Sequence, residues 1–145
     1  MKYQDFLEEM TECPFCKGHN NRLIEENETA YLTYALAPYH KHHLLVVPKR
    51  HVTTFLKLKD LEDSDISDLL DYGAHILEKL GYIDYSILVR NGKTVSIGKS
   101  VDHMHYHIIP NIHIGSMNHS GSERAILTKE EIDILMQEIR AIKDK

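Results

Sequence analysis

At 145 residues, with 42% hydrophobic and 27% charged side chains, the chain has the composition of one ordinary globular domain with room for a substantial core. A formal charge of −5, from 17 basic and 22 acidic residues, excludes a broad nucleic-acid surface but leaves room for a small pocket for one anion. No apolar run approaches the roughly 18 residues of a membrane span, and Met1–Asp5 lacks the apolar core of a signal peptide, so a cytoplasmic protein is expected.

Residues 3–10 are expected to form a short helix, with Phe6, Leu7 and Met10 on one side. Cys13-Pro14-Phe15-Cys16-Lys17-Gly18 follows as a tight knuckle that aims both sulfurs at one point. Arg22–Glu26 and Ala30–Leu36 predict a hairpin around Asn27-Glu28. After the loop Ala37–His42, His43–Pro48 predicts a clear strand, and Thr53–Leu58 a short strand or link. Ile66, Leu69, Leu70, Gly73, Ile76, Leu77 and Leu80 keep helical spacing; Asp63 or Ser64 is the expected cap and Gly81 the stop. Tyr85–Val89 predicts a buried strand, and residues 90–93 a turn. Residues 94–100 then lead as a loop into Asp102-His103-Met104-His105-Tyr106-His107-Ile108-Ile109-Pro110.

That last stretch predicts a strand ended by Pro110, and side chains on a strand repeat every two residues. His103, His105 and His107 are therefore expected on one face, with Met104, Tyr106 and Ile108 in the core. Residues 111–123 are polar and expected to be a loop. A last helix opens with a capping box from Thr128 to Glu131 and a Leu127–Ile132 staple, and its apolar face is Ile132, Leu135, Met136 and Ile139. The pattern is an α+β domain: an antiparallel sheet with segregated helices, and no boundary divides residues 1–145.

Two cysteines spaced C-x-x-C in a reducing compartment read as half of a metal site or as a redox pair. Structural zinc takes four ligands, and the two missing ones must be histidines. His51 ends one strand and His103 begins another, so the expected set is Cys13, Cys16, His51 and His103; a metal-free pair or a redox disulfide is the alternative. His105 is the candidate nucleophile, because imidazole attacks phosphorus when its attacking nitrogen is unprotonated and its other nitrogen is tied to an acceptor. His107 and His43 are the candidate donors to phosphate oxygen. Asn91 and Ser100, from the two nearest turns, and the amides around Gly98-Lys99-Ser100 complete a candidate phosphate site. Three histidines sharing one metal is disfavoured, since alternate strand residues lie roughly 6–7 Å apart while zinc ligands converge to about 2 Å from one point.

Residues 98–110 resemble the histidine triad (HIT) motif, His-φ-His-φ-His-φ-φ. His43–His51 resembles the family's second signature, and Cys13-Pro14-Phe15-Cys16 the zinc knuckle of many bacterial members. Together they span residues 13–110, leaving 111–145 as loop and terminal helix. The resemblance implies a five-stranded antiparallel sheet with two main helices, in a homodimer whose sheets join. It implies hydrolysis or transfer at the α-phosphate of a nucleoside phosphoramidate or dinucleoside polyphosphate, through a nucleotidyl-histidine. By position His105 matches the nucleophile, His107 and His43 its supporting histidines, Asn91 and Ser100 phosphate-site residues, and His103 the first triad histidine, a zinc ligand in zinc-bearing relatives. Lys99 stands where the family usually has Gln, which is expected to favour a longer phosphate chain or a more acidic leaving group. Ala35 stands where many relatives bind ribose with Asp or Asn. The partners implied are a nucleotide and a second copy, with no nucleic acid and no membrane; a nucleotide-binding module with little turnover is the alternative function.

Overall fold

The computed structural model describes Met1–Lys2, Asp5 and residues 13–17, 22–92, 101–111 and 125–143. The helix expected over residues 3–10, apart from Asp5, the loop at 93–100 and the segment 112–124 therefore fall outside the described residues.

The knuckle is a single helical turn, α1 (Pro14–Lys17). Three strands follow, β1 (Leu23–Glu26), β2 (Ala30–Tyr34) and β3 (Leu44–Pro48), then the long helix α2 (Asp60–Lys79), strands β4 (Tyr85–Val89) and β5 (Tyr106–Pro110), and helix α3 (Lys129–Lys143). The five strands form one antiparallel sheet in the order β1-β2-β3-β5-β4, so β5 inserts between β3 and β4. This is the expected α+β architecture. Among the described residues no helix is long and apolar enough to cross a membrane.

Strands β2 and β3 are buried at every position because both faces of the sheet are covered. Leu32, Tyr34, Leu44, Val46 and Ile108 face α2 and α3, meeting Ile66, Leu69, Leu77, Leu135 and Ile139. Tyr31, Leu45 and Val47 face the knuckle, where Phe15 and Val101 close a second, smaller cluster. The Tyr31 hydroxyl donates to the Phe15 carbonyl and ties α1 to this face. Removal from water pushes the Tyr31 pKa well above its ordinary value, so the phenol stays a donor.

Helix α2 starts at Asp60, earlier than the expected caps Asp63 and Ser64. Glu62 is the reason. Its carboxylate accepts from the Lys59 backbone N–H at 2.9 Å and from Arg50 at 2.7 and 3.1 Å, so a side chain three residues inside the helix caps its entry. The helix stops where expected. Gly81 has φ +98°, and bonds from Gly81 N to Glu78 O and from Tyr82 N to Leu77 O close a Schellman motif. The predicted box on α3 also forms, with Thr128 N to Glu131 Oε1 at 3.0 Å and Glu131 N to Thr128 Oγ1 at 3.1 Å. Residues 55–57, inside the stretch expected as strand or link, form a 3-10 turn capped by Thr54.

Candidate active site and metal centre

The histidine stretch enters strand β5 only at Tyr106. His103 and His105 lie in the chain just before it, held by Met104 N donating to Val52 O at 2.7 Å. The alternation still holds where it matters. Met104 is buried, and the rings of His105 and His107 lie 4.8 Å apart, with Phe15 4.8 Å from His105 and 6.0 Å from His103.

His105 Nδ1 lies 2.8 Å from the His103 carbonyl, which can only accept. The proton therefore sits on Nδ1, and the lone pair of the neutral ring is on Nε2 at the opposite edge. A second chain of bonds settles His107. The Tyr39 backbone N–H can only donate, and it lies 3.2 Å from His43 Nδ1, so the His43 proton is on Nε2. That Nε2–H is 2.9 Å from His107 Nδ1, which must accept, so His107 carries its proton on Nε2. One ring thus presents a lone pair and its neighbour a donor.

His43 is held in place by the β2–β3 loop. His43 N donates to His40 O, and Ala35 N to His43 O, each at 2.9 Å. The adjacent His42 pins this loop to α3 and to the end of α2. Its Nε2 is 2.8 Å from Glu138 and its Nδ1 is 2.9 Å from the Tyr82 hydroxyl. Burial pushes the His42 pKa below the ordinary histidine value, an effect larger than the opposing pull of Glu138. Burial and the neighbouring His42 and Lys41 likewise lower His40.

His43, His105 and His107 line a cleft open to solvent, walled by Pro14, Phe15, Ala35–Ala37, Leu45 and Val101 on its apolar side and by Arg90. Ala35 brings only a methyl group to the wall. Asn91 lies elsewhere, beside Thr53, Thr54, Gly92 and Asp102, and its Oδ1 accepts from Phe55 N at 2.9 Å. Lys99 and Ser100 lie outside the described residues. Sequence reasoning missed Arg90 and Phe15 as cleft residues and His42 as the loop's anchor. Only the position of His42 beside His43 hinted at its part.

The four residues expected to hold a metal come together. One donor atom from each of Cys13, Cys16, His51 and His103 lies within 4.8 Å of all the others. Cys13 Sγ is 3.5 Å from His103 Nδ1, and Cys16 Sγ is 3.3 and 3.4 Å from the Nδ1 atoms of His51 and His103. Tetrahedral zinc, with Zn–S near 2.3 Å and Zn–N near 2.0–2.1 Å, sets sulfur and nitrogen roughly 3.5 Å apart, so these spacings fit the edges of such a centre. The outer partner fits as well. His103 Nε2 donates to the Pro48 carbonyl at 2.7 Å, which leaves Nδ1 as the ligating nitrogen. Without a metal, burial and then the Cys13 sulfur beside it raise the Cys16 thiol pKa. A divalent cation would reverse that balance.

Residues 17–114 match the HIT domain family. An uncharacterised HIT-like protein of Methanocaldococcus jannaschii is 34% identical over 68% of this chain and 78% of its own. The adenosine 5′-monophosphoramidase of Schizosaccharomyces pombe is 31% identical over 68% of this chain and 73% of its own. Among solved structures, a histidine triad nucleotide-binding protein of Sulfolobus tokodaii superposes with a TM-score of 0.71 at 23% identity, covering 91% of this chain and 93% of that one. A Zn-bound histidine triad protein of Mycobacterium smegmatis superposes at 0.65 and 20% identity, covering 92% of this chain and 96% of that one. With the family match covering most of the chain and its histidines lying in one cleft, this protein belongs to the HIT family.

Proposed function

We propose that this chain is a nucleotide hydrolase or nucleotidyl transferase that acts at the α-phosphate of a nucleoside phosphoramidate or dinucleoside polyphosphate. The observation that carries this reading is the bond from His105 Nδ1 to the His103 carbonyl, which leaves the lone pair on Nε2 of a ring lining the cleft. His105 Nε2 attacks the α-phosphorus, the bond to the leaving group breaks, and a nucleotidyl-histidine forms. Water then splits the P–N bond, releasing the mononucleotide and restoring His105. His107 Nε2–H, oriented by His43, donates to a phosphoryl oxygen as charge develops there. Ser100 and Lys99, the latter where the family usually has Gln, remain the proposed phosphate-site residues; Asn91, whose Oδ1 accepts from Phe55 N outside the cleft, would have to turn to join them. The Schizosaccharomyces pombe relative, by its name a phosphoramidase, supports the reaction class.

Cys13, Cys16, His51 and His103 would hold a structural zinc ion that fixes the knuckle and, through it, the Phe15 wall of the cleft. The protein would act as a homodimer. Strand β4 is an edge strand with Ile87 about half exposed, a face suited to a second copy.

The test is intact-mass analysis of protein quenched during turnover of adenosine phosphoramidate or diadenosine tetraphosphate. Wild type is expected to carry one nucleotidyl adduct, and His105→Ala none. Nucleotide binding with no turnover by wild type would replace the enzyme with a binding module.

A further inference from the structure

The side of the cleft next to the histidines is built of methyl groups and ring carbons. Ala35 and Ala37 follow strand β2, Leu45 lies on β3, and Phe15 and Val101 close over that side. All five are buried. All but Ala37 belong to the cluster that packs the sheet against the knuckle, so this wall is an outcrop of the core. It begins directly at the candidate reactive groups. Ala35 N donates to the His43 carbonyl at 2.9 Å, and the His43 ring bonds to His107 at 2.9 Å. The Phe15 ring lies 4.8 Å from that of His105. A phosphate held at His105 and His107 is joined to its sugar through a single ester oxygen, so the sugar meets this wall first.

What the wall offers a sugar is carbon. Among the described lining residues no side chain is a carboxylate, a carboxamide or a hydroxyl. The polar ones are the three histidines at the phosphate and Arg90, which follows β4 on the far side of β5 from β3. Main-chain groups of the wall are engaged: Ala35 N on His43 O, and Leu36 O, which accepts from Leu127 N at 3.2 Å. A hydroxyl pressed against carbon loses its water and gains no partner, which is unfavourable, whereas a methylene in its place gains apolar contact. A site built to bond a hydroxyl rejects the analogue lacking it by roughly 10⁴–10⁵-fold, but an apolar wall discriminates weakly.

We propose that Ala35 sets the sugar specificity of the cleft, so that 2′-deoxynucleotides are taken as readily as ribonucleotides. The substrate class then extends to 2′-deoxynucleoside 5′-phosphoryl compounds. This deepens the nucleotidyl-histidine reading above, on which its catalytic part rests. The side chain of Ala35 ends at Cβ. An Asp or Asn on the same backbone would carry a carbonyl oxygen beyond that point and accept from a sugar hydroxyl, and the ribonucleotide alone would gain. With a methyl group there, the hydroxyl at C2′ contributes nothing to binding or to the transition state.

The experiment measures kcat/KM on adenosine 5′-phosphoramidate and on its 2′-deoxy analogue for wild type, Ala35→Asn and Ala35→Ser. Equilibrium binding of AMP and 2′-deoxy-AMP is measured on the same proteins. Wild type is expected to favour the ribonucleotide by no more than about threefold in either measurement, as an apolar wall allows. Ala35→Asn is expected to raise that ratio roughly three- to tenfold, the worth of one neutral hydrogen bond, and the smaller Ala35→Ser to move it in the same direction. A larger wild-type preference for ribose would overturn the proposal. Variants that fold, bind AMP and leave the ratio unchanged would overturn the role given to Ala35. Turnover of neither compound, with equal binding of AMP and 2′-deoxy-AMP, would overturn the nucleotidyl-histidine reading and leave the sugar specificity standing.

Discussion

Replacing His43 by alanine tests how the cleft sets its protons. His43 Nε2–H is 2.9 Å from His107 Nδ1, and His43 Nδ1 accepts from Tyr39 N at 3.2 Å. His43 is 1% exposed, so water does not readily replace either bond. Without the donor, His107 is free to move its proton to Nδ1, and Nε2 then turns a lone pair toward phosphoryl oxygen. Losing one buried hydrogen bond costs about 1–3 kcal/mol, which corresponds to roughly a 5- to 150-fold fall in kcat/KM if the full amount is felt in the transition state. His43→Gln, which retains a side-chain N–H, is expected to recover part of that loss. The assay pairs kcat/KM with nitrogen-15 NMR of the His107 ring. Wild type should show a proton on Nε2, and His43→Ala a mixture of the two neutral forms. If the alanine variant kept full activity and the wild-type ring signals, the proton relay from Tyr39 through His43 would be refuted.

Other outcomes follow from the same contacts. Cys13→Ser should reduce bound zinc from about one ion per chain toward none and lower the melting temperature, because a structural site needs all four ligands; metal analysis and calorimetry check this. His105→Ala, by contrast, should keep the metal. Lowered pKa values at His40 and His42 mean that the unfolded chain, with histidines near 6.5, binds more protons than the folded one. Their contribution to stability is therefore fully present above about pH 6.5 and is lost as pH falls from there through the lower native values. Urea unfolding at pH 7.5 and 5.5 should show that loss, with a shallower slope in His42→Asn; equal wild-type stability at both pH values would contradict it. Gly73→Ala would place a methyl group 2.7 Å from Ile108 Cδ1 and 3.3 Å from Leu32 Cδ1, both fully buried. Overpacking of about 1–3 kcal/mol should outweigh a helix-propensity gain of roughly 0.5–1 kcal/mol, so denaturant titration should find a net loss of stability.

Local chemistry was legible in the residues alone. The Thr128–Glu131 box, the Gly81 stop and the β2 and β3 runs depend on neighbours within a few positions, where propensity and periodicity act. The meeting of Cys13, Cys16, His51 and His103 was legible for a different reason: these side chains carry a chemistry that needs partners, which narrows the choice. Tertiary structure decided what rests on distant pairing. Helix α2 begins at Asp60 because Arg50 and the Lys59 amide meet the Glu62 carboxylate, and only one of those partners is local. Arg90, and not Asn91, lines the cleft, although the two are chain neighbours that both follow the end of β4 at Val89. His42 reads as one more loop histidine until α3 brings Glu138 within 2.8 Å of it. The sequence names the candidate groups, because their chemistry is intrinsic to each side chain. Which nitrogen holds each proton and which side chains line the cleft depend on hydrogen bonds and strand pairings between residues far apart in the chain, and those exist only once it has folded.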